Sequence, residues 1–241
     1  MPGIELKAGA RKLMSENSPK ILFVTVILVV VATLMSELQY RLPGTSNAVS
    51  QMLDQLAAGE RLSVGLLYSN MKPPGVALAA LLALMRPVVE VGYVRYCMNV
   101  SRGEKGGYGD LLDGFLFFGK IIMIFLIKLV LILLWSLLLI VPGVIAAYRY
   151  RQAYYVLLDD PDKGPIQCII ESRRLMSGRK IDLFLLDFSF LGWIILDIIV
   201  TNIMALLAVP FPLPIVSIYL TPYVGLTRAA FYNNLVSRLA T

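Results

Sequence analysis

Long apolar runs, separated by short polar stretches rich in Pro, Gly and basic residues, recur along the chain. A helix crossing a hydrocarbon core of about 30 Å needs about 20 mainly apolar residues. Six runs meet or approach that requirement, at about 20–40, 74–98, 117–141, 144–160, 182–208 and 213–237. The middle pair needs a break, because residues 117–158 are almost continuously apolar and, at about 1.5 Å per residue, far outrun one membrane thickness. Pro142-Gly143 is the breaker in that stretch, proline ending a helix and glycine accepting a tight bend. The pattern therefore predicts a hairpin there, with a partly polar return helix carrying Arg149 and Arg151.

Shorter segments show helical periodicity without the length to span. Tyr108, Leu111, Leu112 and Phe115 share one helical face, as do Ile166, Ile169, Ile170 and Met176 and, more weakly, Ile4, Ala10, Leu13 and Met14. The acids Asp159, Asp160 and Asp162 precede the second of these as caps, and Gly178 follows it as a stop. All three read as amphipathic helices at the membrane surface. Residues 41–73 form the one sizeable loop on the opposite side, where Met52, Leu53, Leu56 and Ala57 suggest a short helix covering the bundle.

Basic residues orient these spans. Lys7, Arg11, Lys12, Lys20, Arg102, Lys105, Lys120, Lys163, Arg173, Arg174, Arg179, Lys180, Arg228 and Arg238 fall at one set of span ends; Arg41, Arg61 and Lys72 fall at the other. The positive-inside rule then places both termini in the cytoplasm of a multi-pass cell-membrane protein. The first run, Ile21–Met35, lacks a small-residue cleavage site and reads as a retained helix.

A faint repeat adds to this. Arg11-Lys12-Leu13-Met14-Ser15 matches Arg173-Arg174-Leu175-Met176-Ser177, each before a span, and Leu111-Leu112-Asp113-Gly114-Phe115 stands at the equivalent place before the third. Three copies of a surface helix followed by a transmembrane hairpin are expected, making 1–241 a single membrane domain with 1–19 as a cytoplasmic amphipathic tail.

Composition agrees with lipid as the solvent: 58% of residues are apolar and 16% charged, against about 25% charged in ordinary soluble domains. The chain has no histidine, which removes the commonest general base and metal ligand. Cys97 and Cys168 are far apart and fit no metal or redox spacing. Protease, hydrolase and nucleotide-binding motifs are absent, so no catalytic, cofactor or metal site is expected. Expected partners are the bilayer and anionic headgroups at the cytoplasmic face, not nucleic acid.

Charges at membrane depth are the remaining pointers, since placing one there costs about 2.5–3.5 kcal/mol on insertion scales. Arg86, Glu90, Lys128, Asp187 and Asp197 form a candidate intramembrane polar network. One reading is a pathway in which Glu90 and Asp197 bind cations or protons against Arg86 and Lys128. The other is a set of structural ion pairs, Arg86 with Glu90 and Lys128 with Asp197. Arg149, Arg151 and Arg228 are placed where they snorkel to an interface. The run Tyr148-Arg149-Tyr150-Arg151 with Tyr154-Tyr155 suits either a headgroup site or an interfacial belt.

Several blocks are familiar together: Leu134-Trp135-Ser136-Leu137-Leu138, Ile140-Val141-Pro142-Gly143-Val144-Ile145, Ala147-Tyr148-Arg149-Tyr150, Ser172-Arg173-Arg174-Leu175-Met176-Ser177-Gly178-Arg179-Lys180, the Leu183–Trp193 stretch, Pro222-Tyr223 and Ala229-Ala230-Phe231-Tyr232. Over about 75–236 the chain resembles the bacterial membrane family catalogued as domain of unknown function 975. That resemblance implies a six-span membrane protein with no established activity. It is also distantly similar to the membrane domain beside some glycerophosphodiester phosphodiesterases. The chain departs from the family pattern at Val209-Pro210-Phe211-Pro212-Leu213-Pro214, and Asp197 has no matching position. The expectation is a non-enzymatic scaffold, accessory or envelope-maintenance factor, with a transporter or channel for ions, small solutes or lipids as the alternative.

Overall fold

The computed structural model describes residues 3–17, 20–42, 51–52, 54–56, 58, 72–207 and 214–239, and the elements among them are α-helices. Of the short lid helix expected at Met52, Leu53, Leu56 and Ala57, residues 51–52 and 54–56 are helical, while Leu53, Ala57 and the 209–213 connection lie outside the described residues. In chain order come α1 (Gly3–Asn17), α2 (Lys20–Arg41), α3 (Pro73–Ser101), α4 (Asp110–Leu116), α5 (Phe118–Leu138), α6 (Ile140–Arg149), α7 (Ala153–Asp159), α8 (Pro165–Leu175), α9 (Lys180–Phe188), α10 (Leu191–Leu206) and α11 (Ile215–Leu239).

Four stretches are long and apolar enough to cross a membrane: Lys20–Arg41, Pro73–Ser101, Phe118–Leu138 and Lys180–Met204. The six expected spans reduce to these four on that criterion, for two different reasons. The return run at 144–160 is not one helix. It divides into α6 and α7 about Tyr150–Gln152, and neither piece approaches 20 residues. The run at 213–237 does form a single 25-residue helix, but Pro222, Arg228, Asn233 and Asn234 dilute its apolar character.

The hairpin also turns elsewhere than predicted. Leu139 is the break, extended at φ −163° and ψ 151°, and Pro142 lies inside the first turn of α6. A helix leaves its first N–H groups without partners, so a proline there loses no hydrogen bond. Gly143 serves packing: it is buried, and a Cβ on it would overlap the Ser136 side chain of α5.

Contacts group the chain into two compact units, one formed by Met1–Val29 with Pro87–Thr241 and the other by Val30–Arg86. In the second, the end of α2 meets the start of α3, where Gln39 Nε2 donates to the Ala79 carbonyl at 3.2 Å. The first holds the larger core, with Tyr96, Tyr232, Phe190, Met98, Ile121 and Leu157 almost wholly enclosed. Between helices in lipid there is little hydrophobic drive, so association leans on close packing by small residues. The α3–α4 joint does this with two glycines. A Cβ on Gly92 would overlap the Leu111 carbonyl, and one on Gly114 the Val88 carbonyl.

At that joint Gly114 is buried and Leu111 packs against the core, whereas Tyr108, Leu112 and Phe115 point outward at 55%, 65% and 49% exposure. On α1 the buried face is Leu6, Ala10 and Met14, leaving Ile4 outside. On α8 it is Cys168, Ile169, Ser172 and Leu175, with Ile166 and Ile170 exposed. The cap of α8 is not supplied by the preceding acids. Gln167 Oε1 accepts the Gly164 N–H at 3.0 Å, and Pro165 occupies the first helical position. Met14 and Met176, equivalent in the five-residue match, are both buried.

Candidate functional site

The polar residues of the larger unit gather where its helices are interrupted. Breaking a helix frees backbone donors and acceptors, and away from water these require new partners. At the α6–α7 break one side chain supplies two of them. Ser172 Oγ, fully buried on α8, accepts the Gln152 N–H at 3.1 Å and donates to the Arg149 carbonyl at 3.0 Å. Gln152 Oε1 and Arg149 Nε are buried at the same junction without a hydrogen-bond partner.

The second interruption, Ser189-Phe190 between α9 and α10, is held from α1. Lys7 donates to the Ser189 carbonyl at 3.4 Å and stands 4.3 Å from the centre of the Phe190 ring. A cation there meets the negative end of the α9 dipole. Burial, then the neighbouring Arg11 charge, pushes the Lys7 pKa down. Arg11 Nε in turn donates to the Tyr223 hydroxyl at 3.3 Å. A groove of about 300 Å³ lies beside this contact, lined by Ile4, Lys7, Leu185 and Phe231 among others.

Asp187 ties these parts together. Its Oδ1 accepts from Arg228 Nε at 3.1 Å and Nη2 at 2.9 Å, and its Oδ2 lies 3.4 Å from Arg151 Nη1. The Tyr148 hydroxyl also interacts with this carboxylate. One acid thus joins α9, α11 and the α6–α7 junction. The Asp187 side chain is 14% exposed and the two guanidiniums about a third.

The other candidate residues separate. Lys128 Nζ sits 4.1 Å from the Tyr154 ring centre, a cation–π contact, and Glu90 and Arg151 are the charges that act on it. Asp197 accepts from the Ser217 N–H at 3.1 Å and from its hydroxyl at 2.6 Å. It therefore caps the first turn of α11 from α10 and does not pair with Lys128. Arg86 belongs to the second unit, and both it and Glu90 are exposed.

Acids outside this cluster have partners as well. Asp113 pairs with Arg95 at 3.6 Å. Asp159 accepts from Arg102 at 2.8 Å and from the Tyr232 hydroxyl at 3.1 Å. Asp160 pairs with Lys163 at 3.5 Å. Among the described residues no group of three or more His, Cys, Asp or Glu side chains could hold a metal ion. Cys97 and Cys168 are free and buried, and burial pushes the Cys168 thiol pKa up.

Sequence reasoning selected Asp187 but placed Arg151 and Arg228 at an interface. The signal that picks Asp187, a charge inside an apolar run, applies equally to its two partners. Ser172, Gln152 and Ser217 carry no comparable signal, being ordinary polar residues until the fold surrounds them. Residues 136–239 match the family model described as Protein of unknown function (DUF975). No curated protein and no solved structure matches the chain.

Proposed function

With residues 136–239 matching the DUF975 family model, we propose that the chain is a non-enzymatic multi-pass membrane protein acting as a scaffold, accessory or envelope-maintenance factor. One observation carries the reading: three of the four candidate charges in the larger unit are engaged in joints between helices. Asp187 clamps Arg151 and Arg228, Lys128 rests on Tyr154, and Asp197 caps α11 through Ser217. A permeation pathway needs charges that exchange partners with a solute, whereas these are engaged with the protein itself. Four stretches are long and apolar enough to span; in this reading α6–α7 and α11 return the chain as two less apolar passes, which would complete three hairpins. Both termini are cytoplasmic, as the basic-residue asymmetry requires.

The transporter reading rests on a different observation. Broken helices line the sites of many transporters, and the α6–α7 break contains Gln152 Oε1 and Arg149 Nε without partners. Reconstitution into proteoliposomes separates the two. A scaffold gives no flux of ions or small solutes, and Asp197→Asn lowers the melting midpoint. If Asp197→Asn or Glu90→Gln abolishes a measured flux at unchanged melting midpoint, the scaffold reading fails.

A further inference from the structure

Asp187 has more positive charge around it than it neutralises. Arg228 places Nε and Nη2 on Oδ1, and Arg151 places Nη1 near Oδ2, so two guanidiniums share one carboxylate and one positive charge remains. The carboxylate is largely covered, while the Arg228 and Arg151 side chains are 31% and 36% exposed. Next to them Tyr148 meets Phe184 edge-on at 5.8 Å, and Phe184 stacks on Phe188 at 6.1 Å. These two phenylalanines are 44% and 60% exposed, an apolar wall beside a cationic centre. Asp187 lies seven residues into the Lys180–Met204 stretch, about 10 Å along it at 1.5 Å per residue and so in the half nearer its basic Lys180 end.

We propose that Arg151 and Arg228 bind the anionic phosphodiester of a membrane lipid, with its acyl chains against Phe184 and Phe188. An anion suits a carboxylate outnumbered by its two guanidiniums, and the planar guanidinium fork suits two phosphate oxygens. The carboxylate of Asp187 offsets part of their charge and competes with the phosphate for the guanidinium N–H groups. The inference rests on membrane insertion and not on the scaffold reading, because a solute flux would overturn that reading and leave this site untouched.

The test uses the full chain purified in detergent, with dioctanoylphosphatidylglycerol as probe and the phosphatidylcholine analogue and inorganic phosphate as comparisons. Binding is read by native mass spectrometry and by the shift in melting midpoint. The glycerol lipid is expected to bind and stabilise most, with at least fivefold weaker binding in Arg151→Gln, an intermediate loss in Arg151→Lys, and none in Lys12→Gln on the exposed face of α1. Asp187→Asn is expected to lower the unliganded melting midpoint yet bind the glycerol lipid at least as tightly, because it removes the competing carboxylate. A purely structural role lowers both together. Equal binding by wild type and Arg151→Gln overturns the proposal, as does displacement of the lipid by millimolar inorganic phosphate. Should Arg151→Gln fail to fold, Asp187→Asn decides: binding as tight as wild type or tighter supports the site, and weaker binding overturns it.

Discussion

Gly114→Ala tests whether the α3–α4 joint is built on backbone proximity. The new Cβ would overlap the carbonyl oxygen of Val88 and come within 3.1 Å of the Gly92 nitrogen. Neither obstacle is a side chain able to rotate away, so α4 must move off α3. Forcing a methyl into a closed joint costs about 1–3 kcal/mol. Alanine in a helix interior returns up to about 1 kcal/mol against glycine. The net loss is about 1–2 kcal/mol, on the order of 2–8 °C in melting midpoint at about 2–4 °C per kcal/mol for a chain of this size. Gly119→Ala is the matched control, since a Cβ there meets nothing within 4 Å and only the helix-propensity gain remains. The two free cysteines are both buried, so a thiol-reactive fluorophore followed during heating reports unfolding directly. The reasoning is refuted if Gly114→Ala melts at or above the Gly119→Ala control.

Ser172→Ala removes the acceptor of the Gln152 N–H and the donor to the Arg149 carbonyl in a fully buried setting. A loss of about 1–3 kcal/mol is expected, against within about 0.5 kcal/mol for Ser237→Ala on the exposed end of α11; equal melting of the two variants would count against the junction. Cys168 gives a pH dependence. Burial raises its pKa in the folded chain, while the unfolded thiol ionises near about 8.5. Its contribution is therefore complete below that value and is lost as pH rises from there towards the folded pKa. Melting curves of Cys168→Ser should lack this component of the alkaline decline, and an unchanged pH profile would contradict it.

The helical class and its long apolar stretches were legible because they depend on local quantities. Apolar run length and the scarcity of charge are read directly along the chain, and four of the predicted runs appear as helical stretches of spanning length and hydropathy. Helix faces were less legible. In a soluble helix the apolar stripe marks the buried side, but against lipid an apolar residue is equally at home outside. Leu112 and Phe115 are exposed, while Gly114, invisible to a hydropathy pattern, makes the contact.

By itself, the sequence determined that the chain would be helical and that charges such as Asp187 would need partners. Only the tertiary structure decided which partners. Asp187 takes Arg151 and Arg228 from 36 and 41 residues away along the chain, and Asp197 takes Ser217. It also moved the hairpin turn to Leu139 and divided the return helix so that Ser172 could meet its freed backbone groups. The physical reason is common to all of these. A charge or an open backbone group in an apolar surrounding must be satisfied by something, but what satisfies it depends on which distant segment packs there.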